Sequence, residues 1–127
     1  LKRLFKIRDT DLIIASLTCN EQDWSKMDLI KYLNMENSNL LKINQRQSSA
    51  ILFKKCKETL DLVKEWYNIS CNYHMIDDSP SIAPNVGSFK EHRHDQSVFS
   101  LLTKKYNIFS NETINKGVYI ARFRRGY

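Results

Sequence analysis

Ionisable side chains are concentrated in one short segment of the chain, directly before an apolar helical pattern. Residues 91–95 (EHRHD) all carry groups that can gain or lose a proton or pair with a charge. The apolar residues that follow repeat at three- and four-residue spacing, which predicts a helix that begins near His94. Such a helix would place Asp95 on the face of Val98 and aim its carboxylate toward the protein. A buried charge is costly unless it is paired, hydrogen-bonded or functional, so Asp95 and His94 are the candidate catalytic residues.

Asp95 has a second interpretation that requires no chemistry. Asp is a common helix N-cap, and its carboxylate would then accept a hydrogen bond from the backbone N–H of Ser97 or Val98. The two hypotheses share a helix start. They differ in whether the backbone uses the carboxylate or leaves it free at a cleft.

The same segment carries a resemblance to a known family. Residues 89–106 (FKEHRHDQSVFSLLTKKY), together with residues 23–33, 47–56, 65–82 and 119–126, resemble the C-terminal half of GT-A-like glycosyltransferases found in polysaccharide gene clusters and large DNA viruses. The resemblance covers most of the chain, and residues 91–102 are its most specific part. It implies transfer of a sugar from a nucleotide-sugar donor to a glycan or other hydroxyl acceptor.

Transfer with inversion needs a carboxylate base for the acceptor proton, and Asp95 is the residue that we assign to this role. His92 or His94 would orient it, bind diphosphate or complete a metal shell, and Gln96 would hydrogen-bond sugar hydroxyls. The remaining candidate substrate-binding residues are Arg93, Asp77, Asp78, Trp24 and Lys26. Asp77 and Asp78 also suit a turn sequence, and Trp24 also suits a core position.

The C-terminus offers a candidate diphosphate site. Arg122, Arg124 and Arg125 place three guanidinium groups within four positions, and arginine grips phosphates bidentately. The family commonly closes a basic C-terminal segment over the donor diphosphate, although a solvent-exposed basic tail explains the same residues. The resemblance also implies a divalent cation, Mn²⁺ or Mg²⁺, with ligands mostly outside this chain. Asp9 and Asp11 form an Asp-x-Asp pair, but their setting favours a turn.

Two other classes of function remain open. His92, His94 and Asp95 have the ligand types of a metal-dependent hydrolase, but their spacing differs from the His-x-His-x-Asp-His pattern of metallo-β-lactamases. A non-catalytic binding module is the third class. The net charge of +6 and pI near 9.3 would suit nucleic acid, yet the basic residues are scattered, so we expect no nucleic-acid partner.

The alternation of predicted strands and helices indicates an α/β fold with a mixed sheet and flanking helices, a partial GT-A-like fold. Predicted strands cover residues 12–18, 47–53 and 118–123, and predicted helices cover residues 1–8 (a helix end), 24–33, 56–70 and 94–106. The second complete helix would bury Leu60, Val63, Trp66 and Tyr67. A long loop at residues 72–90 is typical of a binding loop.

Size and composition set the remaining expectations. The 127 residues suffice for a single domain (1–127), but the chain opens on Leu1 and lacks the nucleotide-binding half of the family. We therefore expect it to be the acceptor-side part of a larger transferase domain, inactive alone. The three cysteines show no pairing pattern, which predicts reduced thiols in the cytoplasm. No apolar run reaches about 20 residues, which predicts that the chain has no transmembrane segment. A peripheral membrane location is left open.

Overall fold

The structure, a computed structural model, describes residues 12–107 as a mixed α/β arrangement. Two strands, β1 (Leu12–Asn20) and β2 (Asn44–Phe53), pair in an antiparallel sheet. Three α-helices follow in chain order as α1 (Met27–Tyr32), α2 (Lys57–Ser70) and α3 (His94–Lys105). Short 3-10 helices lie at Glu21–Asp23, Asn39–Lys42 and Tyr73–Met75. The α/β class predicted from the sequence is therefore confirmed, and the sheet of the described residues is purely antiparallel.

The sheet is regular at one end and irregular at the other. Leu12 pairs with Phe53 and Ile14 with Ile51, but the register shifts on either side of Ser16, which pairs with Arg46. Such shifts bend a strand and increase its twist. The irregular end leads directly into the Glu21–Asp23 turn, which lies against α3.

Helix α3 is the central element, because it packs on β2 with one side and on α2 with the other. Residues 97–104 of α3 are buried without interruption. The apolar core gathers around this helix and consists of Leu29, Ile30, Leu33, Met35, Leu41, Leu62, Ile69, Val98, Phe99, Leu101 and Leu102. Trp66 of α2 packs its ring 4.8 Å from that of Phe99, in agreement with its predicted place at the core.

The predicted buried face of α2 is wrong at three of its four positions. Leu60, Val63 and Tyr67 are exposed, with 69% of Tyr67 accessible, whereas Thr59, Leu62 and Ile69 are buried. Both sets have helical spacing, so periodicity alone does not select between them. Trp66 lies at helical spacing from the buried residues Leu62 and Ile69, and its ring packs on Phe99 of α3.

Several predicted boundaries shift by a few residues. Helix α1 begins at Met27 rather than at residue 24, because residues 24–25 form a bend after the Glu21–Asp23 3-10 helix, and β2 begins at Asn44 rather than at residue 47. The loop at residues 72–90 is irregular as predicted, apart from its Tyr73–Met75 turn. Helices α1 and α3 are followed by Asn34 and Asn107 in the left-handed conformation, which asparagine tolerates. The predicted helix end at residues 1–8 and strand at residues 118–123 lie outside the described residues.

Among residues 12–107, no helix combines the length and the apolar character that crossing a bilayer requires.

Candidate functional site

Residues 91–96, which lead into α3, border three cavities. The first, of about 350 Å³, is lined by Ser48 of β2 and by residues 91–96 themselves, and we call it the Asp95 cavity. The second, of about 390 Å³, lies between this segment and residues 78–90, and we call it the Phe89 cavity. The third, of about 270 Å³, is lined by Trp24, Arg93 and the end of β1. The segment that the sequence singles out is therefore surrounded by concave surface.

Asp95 occupies the second position of α3 with its side chain exposed to solvent. The carboxylate is neither buried, as its place on the face of Val98 predicted, nor a helix N-cap; it lies exposed at the Asp95 cavity. The N-cap position belongs to Arg93, whose side chain makes no capping hydrogen bond; the hydroxyl of Ser97 accepts from the Arg93 backbone N–H instead (3.1 Å). Within the described residues, no donor hydrogen-bonds the Asp95 carboxylate. It is free to accept a proton or a hydrogen bond from a ligand.

The backbone around Asp95 is nevertheless fixed. The Trp66 indole N–H donates to the Asp95 carbonyl oxygen at 3.0 Å, which ties the first turn of α3 to α2. Ser97 donates its hydroxyl proton to the Trp24 carbonyl oxygen at 2.7 Å. A reactive group on a rigid element loses less entropy when it engages a ligand.

His94 begins α3 in a left-handed backbone conformation, with φ of 56°. This conformation is uncommon for a residue with a Cβ atom and costs about 1–2 kcal/mol. The ring Nε2 lies 2.6 Å from Oδ1 of Asp78 in the long loop. The carboxylate requires a proton on Nε2, so a neutral His94 carries its lone pair on Nδ1. His94 is thus held by Asp78 and not, as expected, against Asp95.

His92 is buried, and both of its ring nitrogens are hydrogen-bonded to backbone groups. Its Nδ1 accepts from the Lys26 N–H at 3.0 Å, and its Nε2–H donates to the Met75 carbonyl oxygen at 2.6 Å. Burial lowers its pKa to about 4, so the ring is neutral near pH 7. A substrate or metal could reach a nitrogen of His92 only if one of these bonds broke. The geometry indicates that His92 joins the Tyr73–Met75 3-10 helix to the start of α1.

Lys26 and Asp77 form an ion pair that is mostly withdrawn from solvent. The Lys26 ammonium donates to Oδ1 of Asp77 at 3.0 Å and to the His74 carbonyl oxygen at 2.8 Å. Hydrogen bonds from the Ser79 hydroxyl and from Lys26 lower the Asp77 pKa to about 2. Lys26 does line the Phe89 cavity, but two of its three N–H donors are already engaged.

A set of hydrogen bonds to Asp28 also holds the long loop; we call it the Asp28 clamp, and it was not predicted from the sequence. Asp28 of α1 accepts hydrogen bonds from the Ile82 and Ala83 backbone N–H groups, each at 2.8 Å, and its Oδ2 lies 2.6 Å from Nε2 of His74. Burial opposes the charged form, but the bonds from Ala83, His74 and Ile82 prevail and lower the Asp28 pKa well below its usual range. In return, the first N–H groups of α1 are capped by loop side chains, Asn85 at Met27 and Ser81 at Asp28. The loop is therefore a fixed wall of the site.

Three other predicted residues are engaged in part. The Gln96 side-chain N–H donates to Oε1 of Gln45 at 2.9 Å, which directs this amide into the protein. The Arg93 guanidinium lies 5.6 Å from the Trp24 ring centre and donates to Glu91 at 3.2 Å. Arg93 borders both the Asp95 cavity and the cavity at Trp24, where its remaining donors stay available.

Beneath the site lies a buried polar cluster that sequence reasoning missed. Glu21 and Lys104 are both fully buried, and the Lys104 ammonium donates to Oε2 of Glu21 at 2.6 Å. Burial lowers the pKa of Lys104 despite the Glu21 charge. The other members are Ser25, Gln45, Arg46, Ser97 and Ser100. A detectable signal was present in α3, since Ser97, Ser100 and Lys104 repeat at helical spacing within an apolar helix.

No ligand for the divalent cation that the resemblance implies is found among the described residues. Within residues 12–107, no three His, Cys, Asp or Glu side chains are arranged to hold a metal ion. Asp9 and Asp11 lie outside the described residues, and so do Arg122, Arg124 and Arg125, the predicted diphosphate site.

Comparisons with protein-family models, with curated proteins and with solved structures found no match to this chain.

Proposed function

We propose that this chain belongs to a glycosyltransferase that moves a sugar from a nucleotide-sugar donor to a glycan or other hydroxyl acceptor. The observation that carries the proposal is the Asp95 carboxylate, which is exposed and without a partner among the described residues, in a polar cavity of about 350 Å³. Ligand pockets have volumes of roughly 300–1,000 Å³ and contain a few well-placed polar groups. The resemblance at residues 91–102 supports the choice of reaction.

In this proposal, Asp95 faces the acceptor hydroxyl. For transfer with inversion, the acceptor oxygen forms a bond to the anomeric carbon while the bond from that carbon to the diphosphate oxygen breaks. The hydroxyl proton passes to the Asp95 carboxylate, and the nucleotide diphosphate leaves as an anion. For transfer with retention, Asp95 would only hydrogen-bond and position the acceptor. The stereochemistry of the product distinguishes the two courses.

Two neighbouring side chains support Asp95 in this role. His94 lies next to it in sequence and is oriented by Asp78, so its Nδ1 can accept a hydrogen bond from a second hydroxyl. Arg93 supplies donors for acceptor oxygens or for the departing diphosphate. We further propose Arg122, Arg124 and Arg125 as the diphosphate-binding group, and the described strands and helices as part of a GT-A-like fold.

The metal-dependent hydrolase is the weaker alternative. It requires His92 as a ligand, and both nitrogens of that ring are hydrogen-bonded to backbone groups. The purified protein would then contain a transition metal that is lost in His92→Ala. A binding module without activity is consistent with the same cavities, and the activity test separates it from a transferase.

The deciding experiment measures nucleotide release from a panel of UDP-, GDP- and CMP-sugars by the full-length protein. Asp95→Asn replaces the carboxylate by an uncharged amide of the same shape, which cannot act as the base, and should lower turnover by about 10²- to 10⁴-fold. Asp61→Asn, a change of an exposed carboxylate on α2, is the matched control and should leave turnover intact. Equal turnover of the parent and Asp95→Asn would refute the role of Asp95. A parent without turnover on any donor would refute the transferase.

A further inference from the structure

The Phe89 cavity lies beside the Asp95 cavity and contains residues that the sequence did not predict as part of a site. Phe89, Asn85, Lys90 and Glu91 line it together with residues 78–81 of the long loop. Its volume of about 390 Å³ is comparable to that of the Asp95 cavity. The clamps at Asp28 and at Asn85 hold its walls in place before any ligand arrives, which reduces the entropic cost of binding.

The cavity is balanced in charge and rich in hydrogen-bonding groups. Its lining carries two cations, Lys26 and Lys90, and two anions, Asp78 and Glu91, and Lys26 is already paired with Asp77, so a neutral ligand suits it better than a polyanion. The side-chain Oδ1 of Asn85 accepts from the Met27 N–H at 2.8 Å, but its amide NH2 group has no partner among the described residues. That NH2 group can donate to a ligand oxygen.

Phe89 adds an apolar face to these polar groups. Its side chain is half-buried in the cavity wall and makes no ring contact with another aromatic side chain of the described residues. A sugar ring presents hydroxyls at its edge and C–H groups on its faces, so it pairs an apolar surface with a polar rim. The same combination lines this cavity, which matches the general pattern of an apolar wall with a few polar groups.

The two cavities share a boundary. Glu91 and His92 line both of them, and the hydrogen bond between Asp78 and His94 joins a side chain of the Phe89 cavity to one of the Asp95 cavity. A ligand with several linked rings can therefore lie across residues 91–94 and reach both.

On the basis of the proposed function, we propose that the acceptor is an oligosaccharide and that the Phe89 cavity binds the sugar unit next to the reacting one. The reacting hydroxyl lies at Asp95, and the neighbouring ring stacks on Phe89 with its hydroxyls near Asn85, Lys90 and Glu91. Acceptors of two or more rings then bind more tightly than single sugars.

The test measures glycan binding without a donor, so its readout is independent of transfer. Mono-, di-, tri- and tetrasaccharides of the cello-, malto- and chito- series are titrated against the full-length protein by saturation-transfer NMR and calorimetry. Phe89→Ala should weaken binding of the preferred oligosaccharide by about twofold to tenfold and leave monosaccharide binding unchanged. Phe89→Tyr should retain the affinity. Tyr73→Ala, which removes an exposed aromatic ring outside the three cavities, is the matched control.

The outcomes separate this inference from the transferase. Phe89-dependent oligosaccharide binding without sugar transfer would support the subsite and refute the transferase. Transfer whose rate does not depend on acceptor length or on Phe89 would support the transferase and overturn the subsite. Binding that is equal in the parent and Phe89→Ala, or no binding of any member of the three series, would also overturn the subsite.

Discussion

The Nδ1 atom of His92 accepts a hydrogen bond from the backbone N–H of Lys26, 66 positions earlier in the chain. The opposite nitrogen of the ring donates to the Met75 carbonyl oxygen. One imidazole therefore holds together the start of α1, the end of the Tyr73–Met75 turn and the segment before α3. This arrangement needs a neutral ring with its proton on Nε2, because a protonated Nδ1 could not accept the Lys26 N–H.

The first prediction concerns the pH dependence of stability. The folded-state pKa of His92 is lowered to about 4, against an unfolded value near 6.5. Between these values the unfolded chain binds a proton that the folded protein does not, so stability falls as the pH drops from about 6.5 toward 4. From pH 7 to pH 5 the free energy of unfolding should decrease by about 2 kcal/mol because of His92. Urea denaturation at both pH values measures this loss.

The substitution His92→Gln supplies the control for that measurement. It should lower stability at pH 7 by about 1–3 kcal/mol, since buried backbone groups lose their partners, and it should remove most of the difference between pH 7 and pH 5. His94→Gln, which leaves His92 unchanged, should keep that difference. An equal pH dependence in the parent and His92→Gln would contradict the assignment.

Much of the fold follows from sequence pattern, but the choice between equivalent patterns does not. Helix α2 carries two apolar stripes, one through Leu60 and Val63 and one through Leu62 and Ile69. Helical periodicity allows either to be buried. The position of α3, and of Phe99 in particular, decides between them, and such a contact between distant parts of the chain is not encoded in a local window.

In the candidate site, too, the sequence predicts where the polar residues lie but not which residues they contact. The segment that the sequence singles out, directly before α3, does border three cavities, but the partners of its side chains differ from those predicted. His94 pairs with Asp78 rather than with Asp95, and the polar side chains that α3 buries include those of Ser97 and Ser100, whereas Asp95 is exposed. Serines are mostly surface residues, so their burial on Glu21 and its neighbours was not predictable from type alone.

The second prediction concerns the buried pair of Glu21 and Lys104. Lys104→Met would leave the Glu21 carboxylate buried without the ammonium group that donates to it and should cost about 3–5 kcal/mol. The double variant Glu21→Gln, Lys104→Met should be more stable than the sum of the two single effects implies, because it no longer buries a carboxylate that has lost its Lys104 partner. Chemical denaturation of the four proteins measures the coupling energy. Additive effects would show that the ion pair contributes no coupling.

The third prediction concerns the clamp on the long loop. Asp28→Asn replaces one acceptor oxygen with a donor, so the Ile82 or the Ala83 N–H loses its hydrogen bond. The amide exchange of that group should accelerate by on the order of tenfold, as expected for the loss of about 1.4 kcal/mol of local protection. Hydrogen exchange by NMR detects this, with the Lys90 N–H, which donates to Asp23, as the internal control. Unchanged exchange at both Ile82 and Ala83 would contradict the clamp.

The last prediction uses the strained backbone of His94. A glycine in the left-handed conformation avoids the Cβ penalty, so His94→Gly should raise the free energy of unfolding by up to about 1 kcal/mol. The lost bond to Asp78 offsets little of this gain, because both side chains are exposed. If His94 orients the acceptor at Asp95, the same substitution should lower nucleotide release in the presence of acceptor. His94→Asn, which tolerates the conformation, provides the control for backbone strain. A variant that gains stability and keeps full turnover would show that the strain at His94 serves no catalytic purpose.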